Sequence, residues 1–321
     1  MTHKKTLPSG KQRLESIFNG EAVNAPPHFE LLYQIEKAVY GSDIEHVRTQ
    51  RFPSEPARTE ALHKHYDELQ ARLIEDYAYA AVPPYYAEDD PDALKSIASL
   101  KKNVGSQAFV FSWSSDGVYW MPSGGDIMDF VVMMFERPSE MHEKARKKCE
   151  AAKVVARKQL DAGVDFIIQN TDFGFNDGPF ISPAHFSEFV TPYMTETVGY
   201  MHDLGLKVLL HSDGNLNEIL DQIHSTEVDG YQSVDPQGQM DIKAVREKYP
   251  DWILMGNVNC SMLQDTNEDD IRESVRYCMK HGGMGKPYIF STSNCIFEGM
   301  PVESYDIMLD EYRTLCENTK Q

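Results

Sequence analysis

The amino-acid sequence predicts a single (β/α)8 barrel of the α/β class, and three observations lead to this fold. Short apolar runs alternate with helix-length segments from about residue 25 to the end of the 321-residue chain, which gives about eight strand–helix units. The three clearest runs, at residues 208–210, 253–259 and 288–294, are each followed by polar residues, as parallel strands are. The length fits one barrel, since such barrels often exceed ~250 residues.

The predicted elements follow in chain order. Apolar, β-branched and aromatic runs predict strands at residues 27–32, 77–82, 109–113, 164–168, 207–210, 230–233, 252–255 and 288–290. Helical periodicity predicts helices at residues 35–40, 57–75, 126–136, 139–162, 182–204, 216–224, 242–248, 268–281 and 302–317. Ser182 and Pro183 are typical of a helix start, with a capping hydroxyl and a proline in the first turn.

We expect one domain over residues 1–321, because the chain contains no Gly/Ser-rich or Pro-rich linker, no internal repeat and no low-complexity tract. The opening residues are polar and basic, so residues 1–20 are expected to form an N-terminal arm. They lack the apolar core of a signal peptide, and no stretch approaches the ~20 apolar residues of a membrane span. A cytoplasmic protein is therefore expected.

The charge of the chain narrows the classes of partner. Acidic residues outnumber basic ones by 50 to 31, and the formal net charge is −19. A surface this negative argues against binding to nucleic acid and against anionic membranes. The five cysteines are odd in number and widely spaced, so reduced thiols are expected rather than a disulfide framework.

A candidate metal site follows from where the predicted strands end. In a parallel barrel the carboxyl ends of all strands open onto one face. His211, Asp213, Cys260 and Cys295 follow three of these strands, so an imidazole, a carboxylate and two thiols should meet at one mouth. Such a donor set suits a catalytic zinc ion. The alternative for each residue is structural: a hydrogen-bonded histidine, a turn aspartate, or a small buried thiol.

Five segments resemble the uroporphyrinogen decarboxylase superfamily, which is built on a (β/α)8 barrel. The resemblance covers most of the chain and is strongest from about residue 160 onward. Its segments are residues 178–183, 186–193, 211–214, 256–260 and 289–296. Porphyrinogen decarboxylases of this superfamily carry an arginine-rich stretch near the N-terminus that anchors substrate carboxylates. The corresponding residues 25–34 contain no arginine here, which argues against porphyrin decarboxylation.

The resemblance points instead to the branch of zinc-dependent methyltransferases that work with corrinoid proteins. In its thiol-methylating members a His-x-Cys pair and a later cysteine bind zinc. His211 and Cys295 match this pattern, whereas Asp213 stands in place of the first cysteine. Cys260 is the candidate for the missing thiolate, so His211, Cys260 and Cys295 are the predicted metal ligands. Asp213 is expected either to bind the metal or to orient His211.

Other polar residues at predicted strand ends are candidate substrate or cofactor contacts. Glu30 is a candidate fourth ligand or general acid, and Asp172 is a candidate catalytic carboxylate. Asp235 and Asn257 are candidate cofactor contacts, although each could equally be a loop hydrogen-bonding group. Aromatic residues are candidates to form the wall of a pocket for an apolar methyl donor, or else ordinary packing; they are Tyr85, Tyr86, Trp113, Tyr119 and Trp120.

These expectations combine into one predicted function. The chain is expected to be a zinc-dependent methyltransferase that moves a methyl group between a methyl ether, methylamine or thiol and the cobalt of a corrinoid protein. Demethylation of an ether is slightly favoured. The alternatives are a metal-independent decarboxylase of a small acid or tetrapyrrole, and a non-catalytic protein that binds a corrinoid or tetrapyrrole.

Overall fold

The computed structural model describes residues 7–85, 91–115, 119, 122 and 124–318. The predicted α/β class is confirmed, since seven strands form one parallel sheet in the order β1-β2-β3-β6-β7-β8-β9. A short antiparallel hairpin, β4-β5, follows β3 and was not predicted. The strands are β1 (Ala81–Val82), β2 (Phe109–Ser115), β3 (Phe166–Asn170), β4 (Gly174–Phe175), β5 (Gly178–Pro179), β6 (Lys207–His211), β7 (Gly230–Ser233), β8 (Ile253–Gly256) and β9 (Tyr288–Ile289).

The predicted first strand, at residues 27–32, lies between the two edges of this sheet. His28 forms parallel bridges to Tyr79, just before β1, and to Phe290, just after β9. The Ala80 amide donates to the His28 carbonyl at 2.8 Å, and the Phe290 amide donates to the Pro27 carbonyl at 2.9 Å. The pairing stays an isolated bridge rather than a regular strand, consistent with Pro27 having no N–H to donate.

Helices occupy the segments between the strands. They are α1 (Gly10–Phe18), α2 (Glu36–Tyr40), α3 (Ile44–Arg48), α4 (Glu55–Tyr77), α5 (Pro91–Val104), α6 (Asp126–Glu136), α7 (Pro138–Ala162), α8 (Pro183–Phe189), α9 (Thr191–Asp203), α10 (Leu220–Ser225), α11 (Ile242–Lys248), α12 (Met262–Asp265), α13 (Glu268–Cys278) and α14 (Val302–Asn318). A π-helical turn, Met279–Gly283, extends α13.

Two predicted segments differ from the observed helices for identifiable reasons. Within the predicted N-terminal arm, α1 is a packed helix: Ser9 and Gln12 form a capping box, and Leu14 and Ile17 are buried. The single helix predicted over residues 182–204 is divided at Val190 into α8 and α9. Pro192 lacks an N–H and cannot continue the hydrogen-bond ladder of α8, so a new helix begins there.

The core is continuous beneath the sheet and between the sheet and the helices. Three phenylalanines pack together, with ring centroids of Phe29 and Phe111 5.5 Å apart and those of Phe111 and Phe166 5.4 Å apart. All five cysteines are buried and free of disulfides, as predicted. In the described part of the chain, no helix is long and apolar enough to cross a membrane.

Candidate metal and proton-transfer site

His211 is the last residue of β6 and lies buried at the carboxyl end of the sheet. Its neighbour in register is Gln232 on β7. Nδ1 of His211 is hydrogen-bonded to Oε1 of Gln232. An amide oxygen only accepts, so Nδ1 carries the hydrogen and the lone pair of the neutral ring resides on Nε2. This is the tautomer that a histidine needs to bind a metal through Nε2.

Two carboxylates face this nitrogen. Nε2 of His211 lies 3.8 Å from Oδ1 of Asp172 and 3.9 Å from Oδ2 of Asp213. One ligand atom from each of the three residues lies within 4.8 Å of the other two. A nitrogen and two carboxylate oxygens at this separation form a donor set that a divalent ion could draw together.

A second group of potential ligands occurs on the helices, at Cys149, Glu150 and Glu196. Both glutamates are exposed, and Nζ of Lys153 donates to Glu150 at 2.9 Å and to Glu196 at 2.5 Å. The lysine ammonium already pairs with both carboxylates, so the His211 group is the better metal candidate.

Asp213 is held in place by two side chains that the sequence analysis did not single out. Oγ of Ser233 donates to Oδ1 of Asp213 at 2.7 Å, and Nδ2 of Asn294 donates to Oδ2. Burial raises the pKa of Asp213, while the nearby His211 opposes that rise. Ser233 ends β7, and Asn294 follows β9 and directly precedes the predicted ligand Cys295. For Asn294, a polar residue beside a predicted ligand is the signal that could have revealed it.

The backbone that carries Ser233 is strained. Ser233 has φ 144° and Val234 has φ 47°, which is uncommon for any residue with a side chain and rarer still for a β-branched one. Such conformations persist where the surrounding structure enforces them, and they concentrate at functional sites. Here the strained pair ends β7 and places the Ser233 hydroxyl against Asp213.

Glu30 is buried and contacts Thr292, in the segment that follows β9. The Thr292 amide donates to both Glu30 oxygens, at 3.2 and 3.0 Å, and Oγ1 of Thr292 donates to Oε2 at 2.6 Å. Burial nevertheless dominates and raises the pKa of Glu30 from 4.5 to about 8. The group is therefore protonated at neutral pH and able to donate a proton.

Cys260 and Cys295, the two predicted zinc thiols, are both buried. Sγ of Cys260 lies 3.7 Å from the Cys295 carbonyl, and Oγ of Ser293 donates to Sγ of Cys260 at 3.5 Å. Burial raises the pKa of both thiols, and the neighbouring Cys260, followed by Glu30 and Asp213, adds to the effect at Cys295. Among the described residues, His211, Cys260 and Cys295 do not form one group within 4.8 Å.

The remaining predicted site residues make loop contacts. Oδ1 of Asp172 accepts from the Asp213 amide at 3.0 Å. Asp235 accepts from the amides of Gly214 and Gln237, at 3.1 and 2.9 Å. Nδ2 of Asn257 donates to the Val234 carbonyl and, at 3.4 Å, to the Met240 carbonyl. Asp235 and Asn257 therefore brace the loops around the site.

A cavity of about 690 Å³ opens beside Glu30. Of the predicted aromatic wall, Tyr85 lines it, beside Pro83 and Pro84, but Trp113 and Tyr119 do not. Tyr86 and Trp120 of that predicted wall lie outside the described residues. The charged side chains of the lining are those of Glu30, Glu36, Lys37, Asp43, Glu45 and Glu298. Five carboxyl groups thus face a single ammonium group.

Comparisons with known proteins give a consistent picture. Residues 81–315 match the uroporphyrinogen decarboxylase (URO-D) family. A curated "Uroporphyrinogen decarboxylase" of Sulfurimonas denitrificans is 29% identical over 54% of this chain, and the chain spans 48% of that protein's length. One of Synechocystis is 25% identical over 75% of this chain and 68% of its own.

A solved structure shares the fold over almost its whole length. It is a "methyltransferase from Methanosarcina mazei", with a TM-score of 0.76, covering 95% of this chain and 98% of its own. At 17% sequence identity the likeness concerns the fold alone.

Proposed function

The chain belongs to the uroporphyrinogen decarboxylase (URO-D) family, and we propose that within it this protein is a zinc-dependent methyltransferase. It would move a methyl group between a small substrate (a methyl ether, methylamine or thiol) and the cobalt of a corrinoid carried by a partner protein. The observation that carries the proposal is the His211 imidazole, turned by Gln232 so that its free nitrogen faces Asp172 and Asp213. The bridges of His28 to both sheet edges support a closed (β/α)8 barrel as its scaffold.

The donor atoms at the mouth suit zinc. Histidine nitrogen, carboxylate oxygen and thiolate sulfur are all accepted zinc donors, and catalytic sites combine three protein ligands with an open position. We propose His211, Asp172 and Asp213 as the first ligands, because both cysteine thiols have raised pKa values and stay protonated until a metal binds. Cys295 and Cys260 are then the proposed thiol donors. Bound zinc would polarise a substrate oxygen or lower the pKa of a substrate thiol.

Glu30 supplies the proton chemistry of this proposal. Its carboxyl group lines the cavity and, with a pKa of about 8, is protonated at neutral pH. A protonated carboxyl at that position can donate a proton to the group that leaves when methyl is transferred. A general acid works best when its pKa lies near the working pH, and burial brings Glu30 to that range.

The names of the curated relatives make decarboxylation the second candidate. The charges of the cavity argue against a polycarboxylate substrate. Its lining has five carboxyl groups and one lysine, and residues 25–34 contain no arginine. A substrate with several carboxylates would meet like charge there, which costs binding free energy.

Metal content and methyl transfer test the proposal directly. We expect protein purified without chelators to contain about one zinc per chain. With that metal, methyl transfer from a methyl donor to supplied cob(I)alamin should be detectable from the absorbance change of the corrinoid. Protein that takes up no zinc under reducing conditions, yet decarboxylates an acid, would overturn the proposal in favour of the decarboxylase.

Replacing the partner of His211 should weaken zinc binding without removing a ligand. In Gln232→Leu nothing holds the hydrogen on Nδ1, so the ring can turn or change tautomer. We expect zinc affinity to fall by ~10–100-fold, the usual cost of losing such a partner. Competition with a zinc chelator measures this. Gln222→Leu, on α10, removes a glutamine that contacts Thr191 and Pro183 rather than His211 and should leave the affinity unchanged.

A further inference from the structure

We propose that the cavity beside Glu30 binds a methylated ammonium cation that carries at least one N–H group. Binding of this cation can be tested without metal or corrinoid; only its role as the methyl donor rests on the proposed function. The cavity is formed by the segment after His28, by α4, by the segment after β1 and by residues 298–300. These segments surround the same mouth of the barrel as the metal candidates.

The charged residues that line the cavity favour a positively charged ligand. Several of its carboxylates already have partners: Oδ1 of Asp43 accepts from the His46 amide at 3.0 Å, and Glu45 pairs with Arg48 at 2.5 Å. Glu36, which is half-buried, makes no ion pair with a basic side chain among the described residues. Desolvation raises the pKa of Glu36 to about 7, so a cation placed beside it would favour its ionised form.

A buried amide oxygen gives a second, independent indication. Gln70 on α4 lines the cavity and is 3% exposed. Its Oε1 accepts no hydrogen bond from the described part of the chain. Buried acceptors without a donor are rare and costly in folded proteins, and a ligand N–H placed in the cavity would satisfy this one. The Gln70 oxygen can accept a hydrogen bond from the N–H group of a protonated amine. A quaternary ammonium ion has no N–H group and cannot donate one.

The aromatic part of the lining suits the methyl groups of such a cation. Four tyrosines contribute: Tyr33, Tyr66, Tyr79 and Tyr85. The hydroxyls of Tyr66 and Tyr79 are engaged elsewhere, with the Pro83 carbonyl at 3.1 Å and with the Tyr305 hydroxyl at 2.9 Å. Tyr66 and Tyr79 therefore contribute the surfaces of their rings, rather than free hydroxyl groups, to the cavity. Aromatic rings attract ammonium ions through their negative faces and also pack well against methyl groups.

A cation of this class also fits the chemistry of methyl transfer. When its C–N bond breaks, the electron pair stays on nitrogen and the leaving group is a neutral amine, while the methyl group goes to the cobalt acceptor of the proposed function. An ether would release an alkoxide and a thiol would enter as an acceptor; neither uses an anionic cavity. The structure thus favours an amine over the ether to which the sequence analysis inclined.

The test uses metal-free protein and calorimetric titration with three probes of similar size: trimethylammonium, tetramethylammonium and the neutral tert-butanol. We expect trimethylammonium to bind at least tenfold more tightly than tert-butanol, because cation–π and carboxylate interactions are lost with the charge. It should bind roughly tenfold more tightly than tetramethylammonium, which cannot donate to Gln70.

Two variants test whether Gln70 and Glu36 make the proposed contacts with the cation. Gln70→Leu should abolish the preference for trimethylammonium over tetramethylammonium, and Glu36→Gln should weaken both cations about tenfold while leaving tert-butanol unchanged. Glu75→Gln, an exposed change on α4, is the control and should behave as the wild type. Equal binding of the neutral and cationic probes, or no binding of either cation by correctly folded protein, would overturn the proposal. Binding of the cation without methyl transfer would instead count against the proposed function.

Discussion

His211→Ala should lose zinc and methyl-transfer activity together while the protein stays folded. The side chain lies at the end of β6 and supplies the nitrogen around which Asp172 and Asp213 are arranged. Without it two carboxylates remain close together with no imidazole between them. We expect a fall in zinc affinity of at least ~100-fold, the upper end of what loss of a mere outer partner produces. Elemental analysis and the cobalamin absorbance assay measure the two losses.

The cysteines provide matched comparisons for this result. Cys295→Ala tests whether a thiol completes the zinc shell. Cys295 follows directly after Asn294, whose side chain is hydrogen-bonded to the proposed ligand Asp213. Cys149→Ala removes the buried thiol of the group formed with Glu150 and Glu196 on α7 and α9, and should leave zinc content unchanged. If His211→Ala keeps its zinc and Cys149→Ala loses it, the metal lies on the helices and the proposed site is wrong. Circular dichroism establishes that each variant is folded.

Replacing Glu30 should stabilise the metal-free protein at alkaline pH and impair methyl transfer from an ether by the zinc-loaded protein. Burial raises the pKa of Glu30 from 4.5 to about 8, so the folded protein keeps a proton that the unfolded chain releases between these values. The free energy of unfolding therefore falls as pH rises from 4.5 to about 8 and levels off above that. The decrease is at most on the order of 5 kcal/mol.

Glu30→Gln removes this titrating group and its share of the pH dependence, while the smaller share of Glu36, whose pKa is also raised, remains. Urea unfolding of chelator-treated protein near pH 5 and near pH 8 measures it: variant and wild type should be similar at the lower pH, and the variant more stable at the higher. Methyl transfer from an ether should fall, since an amide cannot donate the proton that a leaving alkoxide needs. Transfer from an ammonium donor, which releases a neutral amine, should not depend on this proton. Glu75→Gln, exposed on α4, should follow the wild type. A wild type whose stability does not change over this range would show that Glu30 titrates normally.

The same residue illustrates how stability and chemistry oppose each other at this site. A carboxyl held neutral by burial costs stability once the pH exceeds its normal pKa, yet that cost is what keeps an acid available at neutral pH. The strained backbone at Ser233 and Val234 likewise costs stability while it positions a side chain of the candidate site. Both occur at the carboxyl ends of the strands, where barrel proteins place their sites.

Much of the architecture could be predicted from local pattern. Strand β7 begins and ends where predicted, and α11 does as well, because each is an uninterrupted periodic run between clear turns. Prediction was weakest where one residue overrides the pattern. Pro192 divides a long helical stretch into α8 and α9, and the hairpin β4-β5 consists of two-residue strands that leave almost no periodic signal.

The sequence by itself determined the α/β fold class and the position of His211 at the end of a strand, because both follow from periodicity and from the residues that close each strand. It also determined the absence of arginine near the first strand. Only the tertiary structure decided which side chains form hydrogen bonds and ion pairs with one another at the site. Gln232 turns His211 toward Asp172 rather than toward Cys260, and Thr292 and burial together set the pKa of Glu30. Distances, desolvation and hydrogen-bond direction depend on residues far apart in the chain, so no local pattern contains them.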